Sequence, residues 1–385
     1  MRRRRHRRLS SRRRRSRSRP SPQKQTKHQN RFTCEELLQA VILVGGEGTR
    51  LRPLTYALPK PMAPLLGRPF IGWIIERLRG AGVEDVILSC CYLPEAIEAH
   101  FGDGRSHGVR LRYVQEEEPL GTAGAIRNAL AHIEGAIFAC NGDILSAVDL
   151  RALLATHRAN DAVATIHTRP VDDPSQFGVV ETDPDGRVRR FVEKPKPGQT
   201  SARDINAGTY ILEAEAVEAI PAGRPVSIER ETFPLLIETT HRVYAVSTKD
   251  YWIDVGRPNT YRQAHHDILD GLFAHPVGVE LTHGVWSADG APLPRDVGVR
   301  PPVFLGAGVR IASGAMLEPY SVLYDGCSVG ARAVVGDAIL WPGCDVGQGG
   351  VVRGAILGLD VAVEPNAAVP AGAVLGRGER VTAAR

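Results

Sequence analysis

The chain has 385 residues, 43% of them hydrophobic, which is long enough to bury a substantial core and to form two domains. Fifteen of the 48 lysines and arginines lie in residues 1–31, which contain no acidic residue, so the rest of the chain carries more acidic than basic residues. Nothing in this basic segment resembles the apolar core of a secretory signal or a membrane span, so we expect no membrane partner.

Residues 1–36 form a basic tail rich in arginine and serine. Such a segment cannot bury enough apolar surface to fold, so it is predicted to be disordered. One interpretation is a nucleic-acid-binding arm, although residues 1–31 contain no aromatic side chain. We favour a start further along, at an alternative codon for Leu37 or Leu38, in which case the natural protein lacks the tail and nucleic acid is not a partner.

The cysteines are spread along the chain without a C-x-x-C pair and without histidine nearby in a metal-like spacing. They are Cys34, Cys90, Cys91, Cys140, Cys327 and Cys344. This pattern is typical of reduced thiols, so we expect a cytoplasmic protein. Cys90 and Cys91 end the apolar run DVILSCC, where they are predicted to be buried as small hydrophobic side chains.

The first predicted strand, AVILVGG, runs into residues 44–62, VGGEGTRLRPLTYALPKPM, which we call the glycine loop. Three of its residues allow positive φ and let a ligand approach the main chain closely: Gly45, Gly46 and Gly48. Three others are cations that suit phosphate oxygens: Arg50, Arg52 and Lys60. The loop is neither a Walker loop nor the G-x-G-x-x-G of a dinucleotide fold. It therefore favours a polyphosphate site of a third kind, although a glycine turn after a strand is also common as a purely structural feature.

From Gln39 onward, short apolar runs alternate with helix-like segments, which predicts a mainly parallel sheet with helices on both faces. The first helix has apolar residues at a 3.6-residue spacing, and Gly80 and Gly82 are predicted to end it. The segment GVVETDPDGRVRRFVEKP breaks the alternation and is predicted to be a hairpin. The α/β region closes with YWIDVG and a helix that begins at Pro258 and ends at Gly271.

Beyond about residue 280, aliphatic residues recur every six positions in two series. They are Val299, Leu305, Ile311, Leu317, Leu323, Val329 and Val335, and then Val351, Leu357, Val363, Val369, Leu375 and Val381. This spacing resembles the hexapeptide repeat of left-handed parallel β-helices. A β-sandwich with fortuitous spacing is the alternative, and two unbroken series count against it. A repeat face of this kind also predicts self-association into a homo-oligomer.

Eight stretches together resemble the sugar-1-phosphate nucleotidyltransferase family, most closely its mannose-1-phosphate guanylyltransferase branch. They are GGEGTRLRPLT, PKPM, EEEPLGTAGA, NGD, FVEKP, INAGTYIL, SIERETFP and WIDVG. The resemblance implies a Rossmann-like catalytic domain that joins an NTP to a sugar 1-phosphate and releases pyrophosphate. We expect three regions: the tail at 1–36, a catalytic domain at 37–275 and a β-helix domain at 276–385.

The resemblance also implies roles for individual residues. Gly45, Gly46 and Gly48 would contact the nucleotide through the main chain, Arg50 would stabilise the transferring phosphate and pyrophosphate, and Lys60 would contact the nucleotide phosphates. On the sugar side, Lys194 would bind the phosphate of the incoming sugar. Glu193 and Asn206 would hydrogen-bond sugar hydroxyls near Gly208.

Two carboxylates are candidate ligands for Mg²⁺. Asp143 closes the apolar run AIFACNGD, which places it at the carboxyl end of a strand, the usual ligand edge of an open α/β sheet. Asp254 follows the run YWI and could reach the same crevice. Two carboxylates with few other protein ligands suit Mg²⁺, which keeps waters and bridges phosphates. The alternative is that each aspartate only ends a strand in a turn, and the family resemblance favours the ligand role.

The stretch QEEEPLGTAG predicts the base preference. Glu116 lies five residues before Gly121, where the thymidylyl branch of the family has a glutamine that faces the base. A carboxylate can accept both N1–H and N2–H of guanine, whereas uracil and thymine offer one N–H between two carbonyls. The pattern therefore favours GTP. Glu116 as a solvated loop charge, or a shift of the alignment to Gln115 or Glu117, remains as an alternative.

Four other functions stay open on the sequence. A glucose-1-phosphate thymidylyltransferase or uridylyltransferase would share the motifs. An acyltransferase would suit the β-helix, but no histidine follows His283 to act as a base. A non-catalytic homologue that binds a nucleotide sugar would be expected to have lost one of the charged groups, all of which are present. A nucleic-acid-binding protein rests on the basic tail alone.

Overall fold

The computed structural model describes residues 38–90 and 93–383. The predictions made for the basic tail, for Cys34 and for Cys91 lie outside these residues. Cys90, by contrast, is fully buried, as the apolar run before it predicts. No helix within the two described segments is long and apolar enough to cross a membrane.

The first two thirds of the described chain alternate strands and helices in the predicted manner. The strands are β1 (Leu38–Leu43), β2 (Pro64–Leu65), β3 (Arg68–Pro69), β4 (Val83–Cys90), β5 (Arg110–Gln115), β6 (Ile137–Asn141), β7 (Ile144–Ser146), β8 (Ala164–Pro170), β9 (Gly178–Thr182), β10 (Val188–Glu193), β11 (Asp204–Leu212), β12 (Val243–Ser247) and β13 (Trp252–Asp254). The helices are α1 (Phe70–Ala81), α2 (Pro94–Phe101), α3 (Gly121–Asn128), α4 (Leu150–Ala159), α5 (Ala214–Glu218), α6 (Phe233–Thr240) and α7 (Pro258–Leu269).

Nine of these strands form one sheet, with β1 near its centre. The order β5-β4-β1-β6 is parallel throughout, and β11 joins β6 in the antiparallel direction. From β1 the chain first builds outward through β4 and β5, and then returns to place β6 on the other side of β1. Ligands of open α/β sheets bind at such a reversal, beyond the carboxyl ends of the strands. The crevice therefore lies where β1 and β6 end.

The sheet is covered on both faces, as the alternation of strands and helices predicts. Along β1, Ala40 and Ile42 belong to one core cluster, and Val41 belongs to the other. Successive side chains of a strand point to opposite faces, so a strand buried on both faces reads as one continuous apolar run. This is why AVIL shows no alternation of apolar and polar residues.

Local predictions in this region are confirmed with one change. The segment around DPDG is an antiparallel hairpin of β9 and β10, and α7 begins at Pro258 as predicted. In α1, however, Gly80 lies inside the helix, and Gly82 in the left-handed conformation ends it. The prediction that Gly80 ends the helix was therefore wrong. Only a residue with positive φ closes this helix with the C-cap hydrogen bonds, and Gly82 supplies it.

The last third of the chain is the predicted parallel β-helix, built from short strands in three sheets. The strands are β14 (Val279–Thr282), β15 (Val285–Ser287), β16 (Gly298–Val299), β17 (Val303–Leu305), β18 (Arg310–Ile311), β19 (Met316–Leu317), β20 (Ser321–Leu323), β21 (Ser328–Val329), β22 (Val334–Gly336), β23 (Ile339–Leu340), β24 (Asp345–Val346), β25 (Val351–Arg353), β26 (Ile356–Leu357), β27 (Ala362–Val363), β28 (Ala368–Val369), β29 (Val374–Leu375) and β30 (Arg380–Val381). The sheet orders are β14-β15-β17-β20-β23-β26-β29, β16-β19-β22-β25-β28 and β18-β21-β24-β27-β30.

From β16 to β30, the repeat places one aliphatic residue of each strand in or against the core of the β-helix, with one error in the predicted series. Val352, and not Val351, pairs with Val335 below it and Val369 above it, and Val352 is fully buried. The regular six-residue spacing is interrupted by two five-residue steps, which end at Leu340 and Leu357. A single phase shift in the sequence could not show both steps, so the second series was started one residue early.

Helix α7 packs against the β-helix through buried polar aromatic contacts. The indole Nε1 of Trp341 donates to the hydroxyl of Tyr261 at 3.1 Å, and His265 Nε2 lies 2.8 Å from the hydroxyl of Tyr324. The main-chain N–H of Leu66 donates to the same Tyr324 hydroxyl at 2.7 Å. Burial lowers the pKa of His265 to about 3, so this ring stays neutral. The contacts fix the β-helix to the region that carries the crevice.

The β-helix also lies directly against the glycine loop. A Cβ placed on Gly376 would be 3.1 Å from Cβ of Pro53, and one placed on Gly358 would be 3.3 Å from Cδ2 of Leu54. Pro53 and Leu54 follow Arg50 and Arg52 in the chain. The coils of the β-helix therefore support the loop from behind, and this support requires residues without bulky side chains at positions 358 and 376.

Candidate active site

A pocket of about 600 Å³ opens at the carboxyl ends of β1 and β6. Eight of the residues predicted from the sequence line it: Gly45, Gly46, Gly48, Arg50, Lys60, Glu116, Gly121 and Asp143. They come from three segments of the chain: the glycine loop, residues 116–121 and Asp143. The fold brings them together because each segment follows or precedes a strand at the same edge of the sheet.

The glycine loop wraps around one side of this pocket. Gly48 has φ of 62°, and a Cβ there would lie 2.9 Å from Cβ of Lys60, so a larger residue would be strained and would displace the lysine. Gly46 differs, because its φ is not in the left-handed region and a Cβ on it would meet no atom within 4 Å. The fold alone therefore requires glycine at position 48 but not at position 46, where the main chain faces the open pocket.

Lys60 and Asp143 form an ion pair inside the pocket. Lys60 lies in a short 3-10 turn that starts after Pro59, and its side chain is 11% exposed. Its Nζ donates to Oδ2 of Asp143 at 2.8 Å. Asp143 lies two residues after β6, at the strand end predicted from the sequence. The ammonium group is thus held at the pocket wall with donors left for an anionic ligand.

Asp254 lies beside Asp143 because their strands pair. In the antiparallel pair of β13 and β7, Asp254 stands opposite Ile144, and the N–H of Val255 donates to the carbonyl oxygen of Asp143 at 2.9 Å. The two aspartates therefore lie next to each other, and their predicted role as a shared ligand pair stays a prediction. Asp254 does not itself line the pocket, but Gly256 does, two residues further along.

Asp254 is a buried carboxylate with an unsatisfied atom. Its Oδ1 has no hydrogen-bond partner among the described residues. Burial, and after it repulsion by Asp143, raises the pKa of Asp254, while Lys60 and Arg50 oppose the rise. A Cβ on Gly256 would lie 2.8 Å from Nη2 of Arg50 and 2.9 Å from Oδ1 of Asp254, so both groups converge on this glycine.

Glu116 is held rigidly at another wall of the pocket. It is 6% exposed, its Oε1 accepts from the hydroxyl of Ser89 at 3.0 Å, and its Oε2 accepts from the N–H of Leu120 at 3.0 Å. The neighbouring Gln115 and Glu117 are exposed and do not line the pocket. The interpretation of Glu116 as a solvated loop charge is therefore wrong, and neither neighbour takes its place.

The four residues predicted for the sugar lie outside the pocket lining. The Nζ of Lys194 is 3.9 Å from Glu193 Oε1, and the lysine side chain is 59% exposed. Asn206 donates from Nδ2 to the Tyr210 hydroxyl at 2.8 Å and accepts from the N–H of Gly208 at 3.0 Å. The amide of Asn206 is thus fixed by its own strand, and a sugar could use the second N–H of the amide and the remaining lone pair of its oxygen.

Gly208 has φ of 70°, and a Cβ on it would lie 2.8 Å from Nδ2 of Asn141. Asn141 was not predicted as a site residue, although it stands in the quoted NGD stretch. It lines the pocket, and its Oδ1 is buried without a hydrogen-bond partner among the described residues. An unsatisfied buried oxygen at a pocket wall is a ready acceptor for a ligand.

Glu229 is a second residue that the sequence analysis missed. It accepts hydrogen bonds from the hydroxyls of Thr122, at 3.0 Å, and Ser227, at 2.7 Å. Its charge, after burial, raises the pKa of Glu193, so the two carboxylates lie near each other. Glu229 belongs to the quoted stretch SIERETFP, and that motif was the available signal for it.

The contacts of Arg52 argue against a role in binding phosphate. Its guanidinium donates to Glu47 Oε2 at 2.7 Å and lies over the ring of Tyr56 at 5.1 Å from the centroid. The pocket therefore presents two cations of the glycine loop, Arg50 and Lys60, beside a pair of carboxylates. Such a set can neutralise a polyphosphate and bind a divalent cation.

The comparisons with known proteins agree with this geometry. The profile of the family described as nucleotidyl transferase matches residues 39–271. Mannose-1-phosphate guanylyltransferase of Mycobacterium tuberculosis is 40% identical over 305 residues, which cover 77% of this chain and 83% of the relative. A UTP–glucose-1-phosphate uridylyltransferase of Synechocystis is 31% identical over 319 residues, which cover 78% and 82%. The crystal structure of HddC from Yersinia pseudotuberculosis with GMP-PN matches with a TM-score of 0.51 and 33% identity, over 60% of this chain and 98% of that one.

Proposed function

Because the chain belongs to the nucleotidyl transferase family, we propose that it transfers GMP from GTP to mannose 1-phosphate, forming GDP-mannose and pyrophosphate. The observation that carries this proposal is the convergence of Lys60, Asp143 and Asp254 at the glycine loop, at the strand ends where such folds bind nucleotides. Relatives named for this reaction match over most of the chain, and one named for uridylyl transfer matches less closely.

The protein's part in this reaction is mainly to position the reactants and to neutralise charge. The main chain at Gly46, which faces open space, lies against the triphosphate. Arg50 and Lys60 bind its oxygens, with Lys60 held in place by Asp143. A phosphate oxygen of the sugar then attacks the α-phosphorus in line, and pyrophosphate leaves. No side chain forms a covalent intermediate in this scheme.

The two aspartates fit a divalent cation such as Mg²⁺. Their oxygens are the ligands that Mg²⁺ prefers, and Oδ1 of Asp254 is buried without a hydrogen-bond partner in the described part of the chain. When bound, the cation would neutralise negative charge on the phosphates of both substrates. No cluster of three or more His, Cys, Asp or Glu within residues 38–90 and 93–383 could hold a metal. Phosphate oxygens and water would supply the remaining ligands.

We assign the sugar end to Glu193, Lys194, Asn206 and Gly208, with Glu229 added. The Lys194 side chain is exposed, so its ammonium group is accessible to the phosphate of an incoming substrate. Glu193 and Glu229 supply acceptors for sugar hydroxyls, and Gly208 leaves room beside Asn141.

The proposed domain division at residue 275, and self-association through the β-helix, remain predictions. Light scattering of the full chain would test the second.

The proposed function is tested by a grid of the four NTPs against several sugar 1-phosphates, with pyrophosphate release as the readout. We expect the highest kcat/KM for GTP with mannose 1-phosphate. A maximum at UTP or dTTP with glucose 1-phosphate would replace the proposed substrates with the alternative pair. Binding of GDP-mannose without any turnover in the grid would instead indicate a regulatory homologue.

Replacing Lys194 with Ala is expected to raise the KM for mannose 1-phosphate at least about tenfold, because a charge-assisted hydrogen bond to its phosphate is lost. The KM for GTP should change little, since Lys194 lies outside the pocket that the glycine loop lines. Steady-state kinetics with each substrate varied in turn measure both constants. Lys196→Ala, an exposed lysine two residues away, is the matched control. Equal rises in both KM values would remove Lys194 from the sugar site.

A further inference from the structure

A second cavity, of about 510 Å³, lies between the start of α7 and the coils of the β-helix. Arg50 lines both this cavity and the nucleotide pocket, so the two spaces adjoin at its guanidinium. We call this second space the junction cavity. None of the roles assigned above uses it, apart from the role of Arg50 itself.

Three arginines line the junction cavity, and no acidic residue does. They are Arg50, Arg257 and Arg262. Among the described residues, Arg50 and Arg257 form no ion pair. Arg262 donates to the carbonyl oxygen of Gly354 at 3.0 Å and lies 3.7 Å from Asp337 Oδ2, which anchors it to the β-helix. Asp254, outside the lining, is the carboxylate near Arg50 and Arg257. Three cations that line one cavity repel one another, so an anion bound there would relieve their repulsion.

The rest of the lining selects a compact anion over a nucleotide or a sugar. It consists of glycine, alanine, proline, isoleucine and valine residues, with the amide of Asn259 as one polar side chain. No aromatic ring among the lining residues could stack on a base, and no carboxylate could accept from sugar hydroxyls. A Cβ on Gly372 would meet no atom within 4 Å, so the main chain there is open to a ligand. Guanidinium forks match the oxygens of phosphates and carboxylates, and phosphate is the anion that the proposed reaction releases beside Arg50.

We propose that the junction cavity is a second site for pyrophosphate, which it receives from the nucleotide pocket at Arg50. This inference rests on the proposed function, because pyrophosphate is the leaving group of that reaction. The diphosphate departs beside Arg50 and finds Arg257 and Arg262 next to it. Binding there moves the product away from the α-phosphorus without waiting for its release to solvent, and it therefore limits the reverse reaction.

The test is calorimetric titration of the full chain with inorganic pyrophosphate. The chain is first saturated with a GTP analogue that has a methylene group between the α- and β-phosphates. The analogue fills the nucleotide pocket, and its nucleotidyl group cannot be transferred. Any pyrophosphate that binds must therefore occupy another site, which we expect to be the junction cavity. We expect about one equivalent to bind, and we expect Arg257→Gln and Arg262→Gln each to weaken binding at least about tenfold. Arg380→Gln, an exposed arginine of the β-helix outside this cavity, is the matched control.

The outcomes separate the two proposals. Failure of the analogue itself to bind the unaltered chain would contradict the proposed function. Normal analogue binding with no pyrophosphate bound, or with binding that neither arginine variant weakens, would overturn the second site alone. Glycerol phosphate that binds as tightly as pyrophosphate would also overturn it, because the cavity would then be a general phosphate site. Normal analogue binding by the variants shows that they are folded.

Discussion

Replacing Asp254 with Asn is expected to lower kcat by at least about a thousandfold while leaving the folded state as stable as before. Removing one preorganised charge from a site of charge transfer costs on the order of 10² to 10³ in rate, and Asp254 would also hold the cation. Burial and repulsion by Asp143 raise the pKa of Asp254, so its ionised form opposes folding. The neutral amide removes that penalty, and the melting temperature should therefore stay constant or rise.

Steady-state pyrophosphate release and thermal unfolding of the same preparations give both quantities. Asp250→Asn is the matched control, because Asp250 is an exposed aspartate four residues earlier that does not line the pocket. A near-normal kcat for Asp254→Asn would show that this aspartate only ends a strand. A strong loss of stability in the variant would show that its carboxylate supports the fold, and the lost activity could then not be ascribed to the cation.

The fold was predictable because apolar residues recur at different spacings in its two parts. Continuous apolar runs between 3.6-residue patterns indicate a sheet covered on both faces, and a six-residue aliphatic repeat indicates a β-helix. The sequence-based predictions were wrong at single positions. Val352 and not Val351 enters the core, since two five-residue steps, at Leu340 and Leu357, cannot be located from aliphatic spacing alone. Gly80 and Gly82 are equally plausible as the end of α1, and only the backbone conformation distinguishes them.

The site was predictable to the extent that its residues stand in contiguous motifs. Gly48, Lys60 and Asp143 come together because each follows a strand or turn at one edge of the sheet. Glu229 and Asn141 were missed within motifs that had been quoted, because their importance lies in contacts between distant segments. Thr122 binds Glu229 across more than a hundred residues of chain, and no spacing rule encodes such a contact.

The junction cavity could not be predicted at all from the sequence. Arg50 is distant in sequence from Arg257 and Arg262, and the docking of α7 on the β-helix completes the cavity that all three line. The contacts of Tyr261 with Trp341, and of His265 with Tyr324, fix that docking. The β-helix therefore contacts the site in two ways. It lines the junction cavity, and it packs against Pro53 and Leu54 of the glycine loop.

Replacing Glu116 with Gln is expected to reduce the preference for GTP over UTP by about tenfold to a hundredfold in kcat/KM. The glutamate lines the pocket with both oxygens held, one by Ser89 and the other by the N–H of Leu120. Each oxygen keeps a further lone pair, so the carboxylate can accept from both N1–H and N2–H of guanine. Leaving one polar edge of a base unpaired costs ~1 to 3 kcal/mol, which corresponds to this range.

The variant should fold normally, and the structure shows how its amide would be oriented. The N–H of Leu120 requires an acceptor, so the oxygen of the glutamine faces it and the NH₂ group faces Ser89. The Ser89 hydroxyl can then donate to the carbonyl oxygen of Ala125, which is 3.3 Å away, and accept from the amide. The pocket therefore gains a donor where guanine presents donors, so we expect kcat/KM to fall strongly for GTP and little for UTP.

Kinetics with GTP, UTP and dTTP at fixed mannose 1-phosphate measure the shift, with the exposed Glu117→Gln as control. An unchanged ratio in Glu116→Gln would exclude Glu116 as the residue that reads the base, and a preference of the unaltered chain for dTTP would refute the guanylyl assignment itself.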